Sequence, residues 1–162
     1  MADQTDDLLN RIDAALGGDG DAHARLSAAL EEVISAFDCA VGTIHSFDAA
    51  SGMLSLRAQR GIPDAIMDKV RLIPIGKGMA GLAAARREPV QVCNLQTDDS
   101  GLAKPGAKLT QMEGSIAAPM LVGDKLCGTI GIAKPTPHEF SRNEAERLMR
   151  AGGVIGAHVL ND

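Results

Sequence analysis

Three groups of residues are of types that do chemistry. The first is the run "IPIGKGMAGLAAA" (residues 73–85), where Gly76, Gly78 and Gly81 spell G-x-G-x-x-G. Such a turn cradles a pyrophosphate when it joins a buried parallel strand to a helix, with an acidic residue about 20 positions further on. The second is the cysteine set, Cys39, Cys93 and Cys127, candidate nucleophiles or redox pairs. The third is the histidine set, His23, His45, His138 and His158.

None of the three completes a known constellation on spacing alone. Pro74 stands in the run before the glycines and cannot donate to a sheet ladder, so that run belongs at an edge or bulge. Asp98 lies at about the right distance but in an irregular segment. The dinucleotide reading is therefore rejected, and Lys77 within the turn reads as a solvated charge. The cysteines are odd in number and far apart, with no C-x-x-C, which excludes a paired zinc site and points to buried apolar thiols. Redox sensing by Cys93 and Cys127 is the minor alternative. No metal site, catalytic residue or cofactor is expected.

Composition narrows the ligands further. The chain has no Trp or Tyr and only Phe37, Phe47 and Phe140, which leaves little to stack a purine, flavin or tetrapyrrole. A net charge of −5 argues against a nucleic-acid surface. No apolar run reaches the length of a membrane span, and the acidic start "MADQTDDLLNRIDAAL" lacks a basic signal region, so no membrane contact and a cytoplasmic location are expected. With 162 residues, 45% hydrophobic and 23% charged, the chain can bury one core.

The elements that must position any site follow from periodicity. Leu8, Leu9, Ile12, Ala15 and Leu16 form a helical stripe over residues 5–16, broken by "GGDG". Residues 21–37 predict a second helix capped by Asp21. "CAVGTIHSFD" and "MLSLRAQR" alternate around "AASG", a hairpin signal that puts Val41, Thr43, His45 and Phe47 on one face. A short helix opening near Pro63, a small Ala-rich helix over 78–87 and a short strand over 89–94 follow. Residues 94–112 have no clean period, as in a lid, a binding loop or a disordered segment. "GSIAAPMLV" and "LCGTIGIAK" predict a second hairpin around "GDK". The last helix, 141–160, opens with a Ser141–Glu144 capping box. Two hairpins predict a mainly antiparallel sheet with helices on one face.

In order and spacing, "RGIPDAIMDKVRLIPIGKGMAGLAAARREPVQVCNL" and "GSIAAPMLVGDKLCGTIGIAKP" followed by a helix resemble a GAF domain. The matching positions are Gly76, Gly78, Gly81, Arg87, Pro89, Val90, Ser115, Pro119, Gly123 and Gly128, across roughly residues 21–160. The resemblance implies an α+β, PAS-like fold. Its central sheet has five or six strands, its terminal helices pack on one face, and short helices and the long loop cover a pocket on the other. The expected organisation is an N-terminal helix and linker over 1–20 and a GAF domain over 21–162. The glycines then serve a tight turn and a close-packed short helix, with no phosphate required.

The resemblance also lets ligand classes be weighed. The free methionine-(R)-sulfoxide reductase branch carries cysteine where this chain has Ala80, and another in the segment where residues 94–113 have none. Its acidic pocket residues fall near Ser115, Gly131 and Ala133, none of them acidic. Bilin binding needs a Cys-His pair and cyclic-nucleotide binding an N-K-x-x-F-x-x-x-D-E signature, and neither is present. Haem would have only His45, which on an alternating strand reads as a half-buried structural residue.

What the faces leave is a pocket of small side chains. Ser115, Ala117 and Pro119 share one face, as do Thr129, Gly131 and Ala133, with Met79, Met112 and Cys93 as adaptable walls. The expected ligand site is Met79, Cys93, Met112, Ser115, Ala117, Thr129 and Gly131, suited to a small anion or metabolite. The expected function is a sensory domain that binds a small molecule of unassigned identity. It would signal through the helices of a homodimer to a protein partner such as a kinase, phosphotransferase or transcription factor. A thiol enzyme of the sulfoxide-reductase type and a ligand-free dimerisation module are the alternatives. The glycine-rich stretch Gly152, Gly153, Gly156 implies that another backbone, sheet or partner helix, comes close.

Overall fold

Alternating residues and turn glycines give the two hairpins that the sequence predicts. A computed structural model of the protein describes residues 2–160, and side chains from Asp7 onward. β1 (Val41–Asp48) pairs with β2 (Met53–Arg60), and β5 (Ser115–Val122) with β6 (Lys125–Ala133), both antiparallel. The short β3 (Leu72–Pro74) and β4 (Val90–Val92) close the two edges. The six-stranded order is β3-β2-β1-β6-β5-β4, so β1 lies beside β6 although most of the chain separates them. The sheet is antiparallel throughout, with six strands, and Pro74 ends an edge strand, where its missing N–H costs no ladder bond.

Alternation divides the sheet into two faces. Ile44, Ile116, Ala118, Met120, Ile130 and Ile132 point to one side and are buried there. Two helices, α2 (Ala22–Ala36) and α5 (Arg142–Leu160), lie over them, and α1 (Ala2–Leu16) packs on those two. Burying each such side chain contributes roughly 1.5–3 kcal/mol, so this layer carries the stability of the domain. Asp21 caps α2 through the Ala24 N–H at 2.9 Å. Ser141 and Glu144 cap α5 reciprocally, at 2.9 and 3.1 Å.

The helices also settle two packing questions. Leu8, Ile12 and Leu16 of α1 are buried against α2 and α5 of the same chain, so the N-terminal stripe has a cover without a second subunit. The glycines of α5 meet the sheet. A Cβ on Gly152 would lie 3.3 Å from Met120 Cγ, and one on Gly156 would lie 3.3 Å from the Cβ atoms of Cys127 and Met120. The close backbone is therefore the sheet, and the cost of glycine in the helix is offset by that packing.

The opposite face carries α3 (Asp64–Arg71), α4 (Gly78–Arg86) and the segment 94–112, which contains a 3-10 turn, Pro105–Thr110. The glycine run has the steric role foreseen for it. Gly76 and Gly78 hold φ of +90° and +67°, and a Cβ on Gly81 would lie 2.5 Å from the Pro74 carbonyl oxygen. The Gly76 N–H donates to Gly81 O at 2.8 Å, closing the turn and seating α4 on the sheet.

Candidate functional site

The second face of the sheet is only partly filled. At one end Phe47, Leu54 and Leu126 pack against Ala80 and Ala84 of α4. At the other, small residues leave a cavity of about 320 Å³ between the sheet, α3, the start of α4 and residues 103–110. Its floor is Thr43 and His45 of β1, Gly131 and Ala133 of β6, and Ser115 and Ala117 of β5. Gly131 pairs with both Thr43 and Ala117, so the residue with no side chain sits at the centre of the floor.

Of the expected site residues, Met79, Ser115, Ala117 and Gly131 line this cavity. Cys93, Met112 and Thr129 do not. Cys93 lies just past β4, where Val90 and Val92 take the inward positions; it is exposed, and its carbonyl accepts from His138 N–H at 3.0 Å. Met112 follows the 3-10 turn, and its backbone is held by Gln96 Nε2 and Thr110 Oγ1, which leaves Thr110 on the cavity wall in its place. Thr129 shares the cavity face of β6 and pairs with His45 of the floor, but it is 1% exposed and stands outside the lining.

Sequence reasoning passed over His45 as a pocket residue. It is 1% exposed, and its Nε2 lies 2.8 Å from the Val70 carbonyl oxygen of α3, a bond that ties this helix to the sheet. A carbonyl only accepts, so Nε2 carries the proton and Nδ1 is left as an acceptor. Burial pushes the imidazole pKa below its ordinary value, against the opposing effect of the Val70 bond, and so favours the neutral ring. Nδ1 has no partner among the described residues, nor has Oγ1 of Thr129, directly opposite on β6. Strand alternation placed Val41, Thr43 and His45 on one face; the β1–β6 pairing that brings them to the floor was the missing piece.

The mouth is basic. Lys69, Lys77 and Lys104 border the cavity, all exposed, and its wall contains no Asp or Glu. Lys77, read from sequence as an ordinary solvated charge, thus stands beside an opening. The Lys104 stem lies over Gly78, where a Cβ would come within 3.4 Å of its Cγ.

The thiols stand apart from the cavity. Burial pushes Cys39 up to about 12, with Lys134 opposing, and burial likewise raises Cys127. Neither supplies a ready thiolate. Among the described residues no cluster of His, Cys, Asp and Glu could hold a metal ion. No described helix is long and apolar enough to cross a membrane.

A family model described as GAF domain matches residues 20–159. Among solved structures, the GAF domain of a phosphoenolpyruvate-protein phosphotransferase from Coxiella burnetii matches with a TM-score of 0.82 at 18% identity, over 99% of this chain and 95% of that one. The corresponding domain from Acinetobacter matches with a TM-score of 0.79 at 18% identity, over 97% and 93%. Free methionine-R-sulfoxide reductase from Neisseria meningitidis, in complex with its substrate, matches with a TM-score of 0.76 at 18% identity, over 96% and 88%. Likeness at this identity is one of fold, which two GAF domains and a reductase here share. No curated protein sequence matches the chain.

Proposed function

The chain belongs to the GAF domain family, and from that premise we propose that it is a sensory module whose small-molecule ligand occupies the cavity over β1, β5 and β6. The observation that carries this reading is the 320 Å³ space itself, floored by Gly131 and Ala117 where larger side chains would have filled it. The sheet is one layer thick, so a ligand on Ala117 presses on the strand whose neighbours Ile116 and Ala118 pack into the helical layer. Binding would order residues 94–112 and shift α1, α2 and α5. A homodimer joined through those helices, and a separate signalling protein, would read the shift in the cytoplasm.

The same reading makes the domain a binder and not an enzyme. The structural likeness to a sulfoxide reductase extends to the fold. Ala80, which lines the cavity, stands where that branch carries cysteine, and residues 94–113 supply no second thiol. A thermal-shift screen of small anions, amino acids, 2-oxoacids, nucleotides and free methionine sulfoxide tests it. A saturable rise in melting temperature, lost in Gly131→Leu, is the expected result. A Cβ on Gly131 meets only Thr43 Oγ1 at 3.3 Å and Ile116 O at 3.8 Å, and a cooperative melt of the ligand-free variant checks that its fold is kept. Thiol-dependent turnover of methionine sulfoxide would overturn the reading, and light scattering tests the dimer.

A further inference from the structure

The cavity wall is unusual in charge for this protein. The chain carries a net −5 with 21 acidic residues, yet the wall holds Lys69, Lys77 and Lys104 and no carboxylate. No ion pair joins any of these lysines to a described residue. They come from three separate segments, α3, the turn before α4 and the start of the 3-10 turn, and the fold gathers them at one opening. Like charges so placed repel, and an anion between them removes that cost. Inside, His45 is 1% exposed on the cavity floor, its Nε2 is tied to the Val70 carbonyl, and its Nδ1 has no open surface. The rest of the floor is alkyl and small, with two hydroxyls, Thr43 and Ser115.

We propose that the cavity takes a short aliphatic carboxylic acid, its carboxylate among Lys69, Lys77 and Lys104 and its alkyl body along Gly131, Ala133 and Ala117. This rests on the ligand-binding reading above and names its chemical class. An amino acid fits less well, because its ammonium group would find no carboxylate in the wall. A nucleotide would find no aromatic ring there to stack on.

Isothermal titration calorimetry of the whole chain tests the proposal with butanoate, hexanoate, octanoate, hexyl phosphate, hexylamine and hexan-1-ol. Hexanoate should bind and hexylamine should not. Affinity should rise about four-fold per added methylene until the cavity is full. The exposed-lysine variant Lys69→Ser/Lys77→Ser/Lys104→Ser, which leaves the core untouched, should weaken hexanoate about ten-fold or more and flatten its salt dependence. Equal binding of hexylamine or hexan-1-ol, tighter binding of hexyl phosphate, or no saturation by any acid overturns the proposal. If neutral or cationic compounds then raise the melting temperature and Gly131→Leu abolishes the rise, only the ligand class has failed. If no compound of any charge binds, the ligand-binding reading has failed with it.

Discussion

Gly128 is the position where a single methyl group should do most damage. It sits in β6 opposite Ser46 of β1 and Met120 of β5, with φ of +155°. A Cβ there would overlap the carbonyl oxygen of His45 and lie 2.9 Å from its carbonyl carbon and from Met120 Cε. The methionine tip can move, but the His45 carbonyl is backbone of a central strand. Holding alanine at this φ costs about 1–3 kcal/mol, and overpacking the strand pair about 1–3 kcal/mol more. Gly128→Ala should therefore lose about 2–6 kcal/mol, a large share of a typical domain stability. Gly123→Ala is the control: its φ is +59° but nothing lies within 4 Å of its Cβ, so it should lose only about 1–2 kcal/mol. Urea unfolding of both variants and the parent, at equal slopes, gives the difference. A Gly128→Ala loss no larger than that of Gly123→Ala would refute the claim that β1–β6 contact dictates this glycine.

Three further outcomes follow from individual side chains. Removing the side-chain acceptor of the α5 cap with Ser141→Ala should cost about 0.5–2 kcal/mol in the same urea assay, and no loss would mean that the bond from Glu144 N–H to Ser141 Oγ contributes nothing. The folded pKa of His45 lies below its ordinary 6.5, so the unfolded chain takes the proton first. Its contribution is complete above about pH 6.5 and falls as the pH drops toward the lower folded value, by at most about 1.4 kcal/mol per pH unit. His45→Leu should flatten that slope in urea melts across this window, and an unchanged slope would assign the titration elsewhere. A thiol-reactive dye on the native chain should label Cys93, the exposed cysteine, well before the buried Cys127 or the burial-shifted Cys39. Peptide mapping with Cys127 labelled first would contradict the packing of α5 on β6.

Much of the architecture was legible without coordinates because it depends on neighbours a few residues away. Period-two alternation separated Ser115, Ala117 and Gly131 from Ile116 and Ile132, and that division is the one the sheet uses. Asp21 and the Ser141–Glu144 pair announced their caps, and Pro74 was enough to deny the glycine run a buried parallel strand. Whether a strand's inward face is pocket or core depends instead on what lies above it. Thr129 shares its face with Gly131, yet one is enclosed and the other stands on the cavity floor. Cys93 was one residue beyond the last inward position of a three-residue strand, a boundary that propensity does not set.

By itself the sequence determined the elements, their caps, the two faces of each hairpin and a poverty of aromatic residues that holds in any fold. Tertiary structure alone decided that β1 lies beside β6, which carries Thr43 and His45 to the cavity floor, and that lysines from three distant segments meet at its mouth. The reason is physical. Backbone geometry and side-chain period are local properties, whereas a cavity and its charge are set by surfaces that only long-range packing brings together.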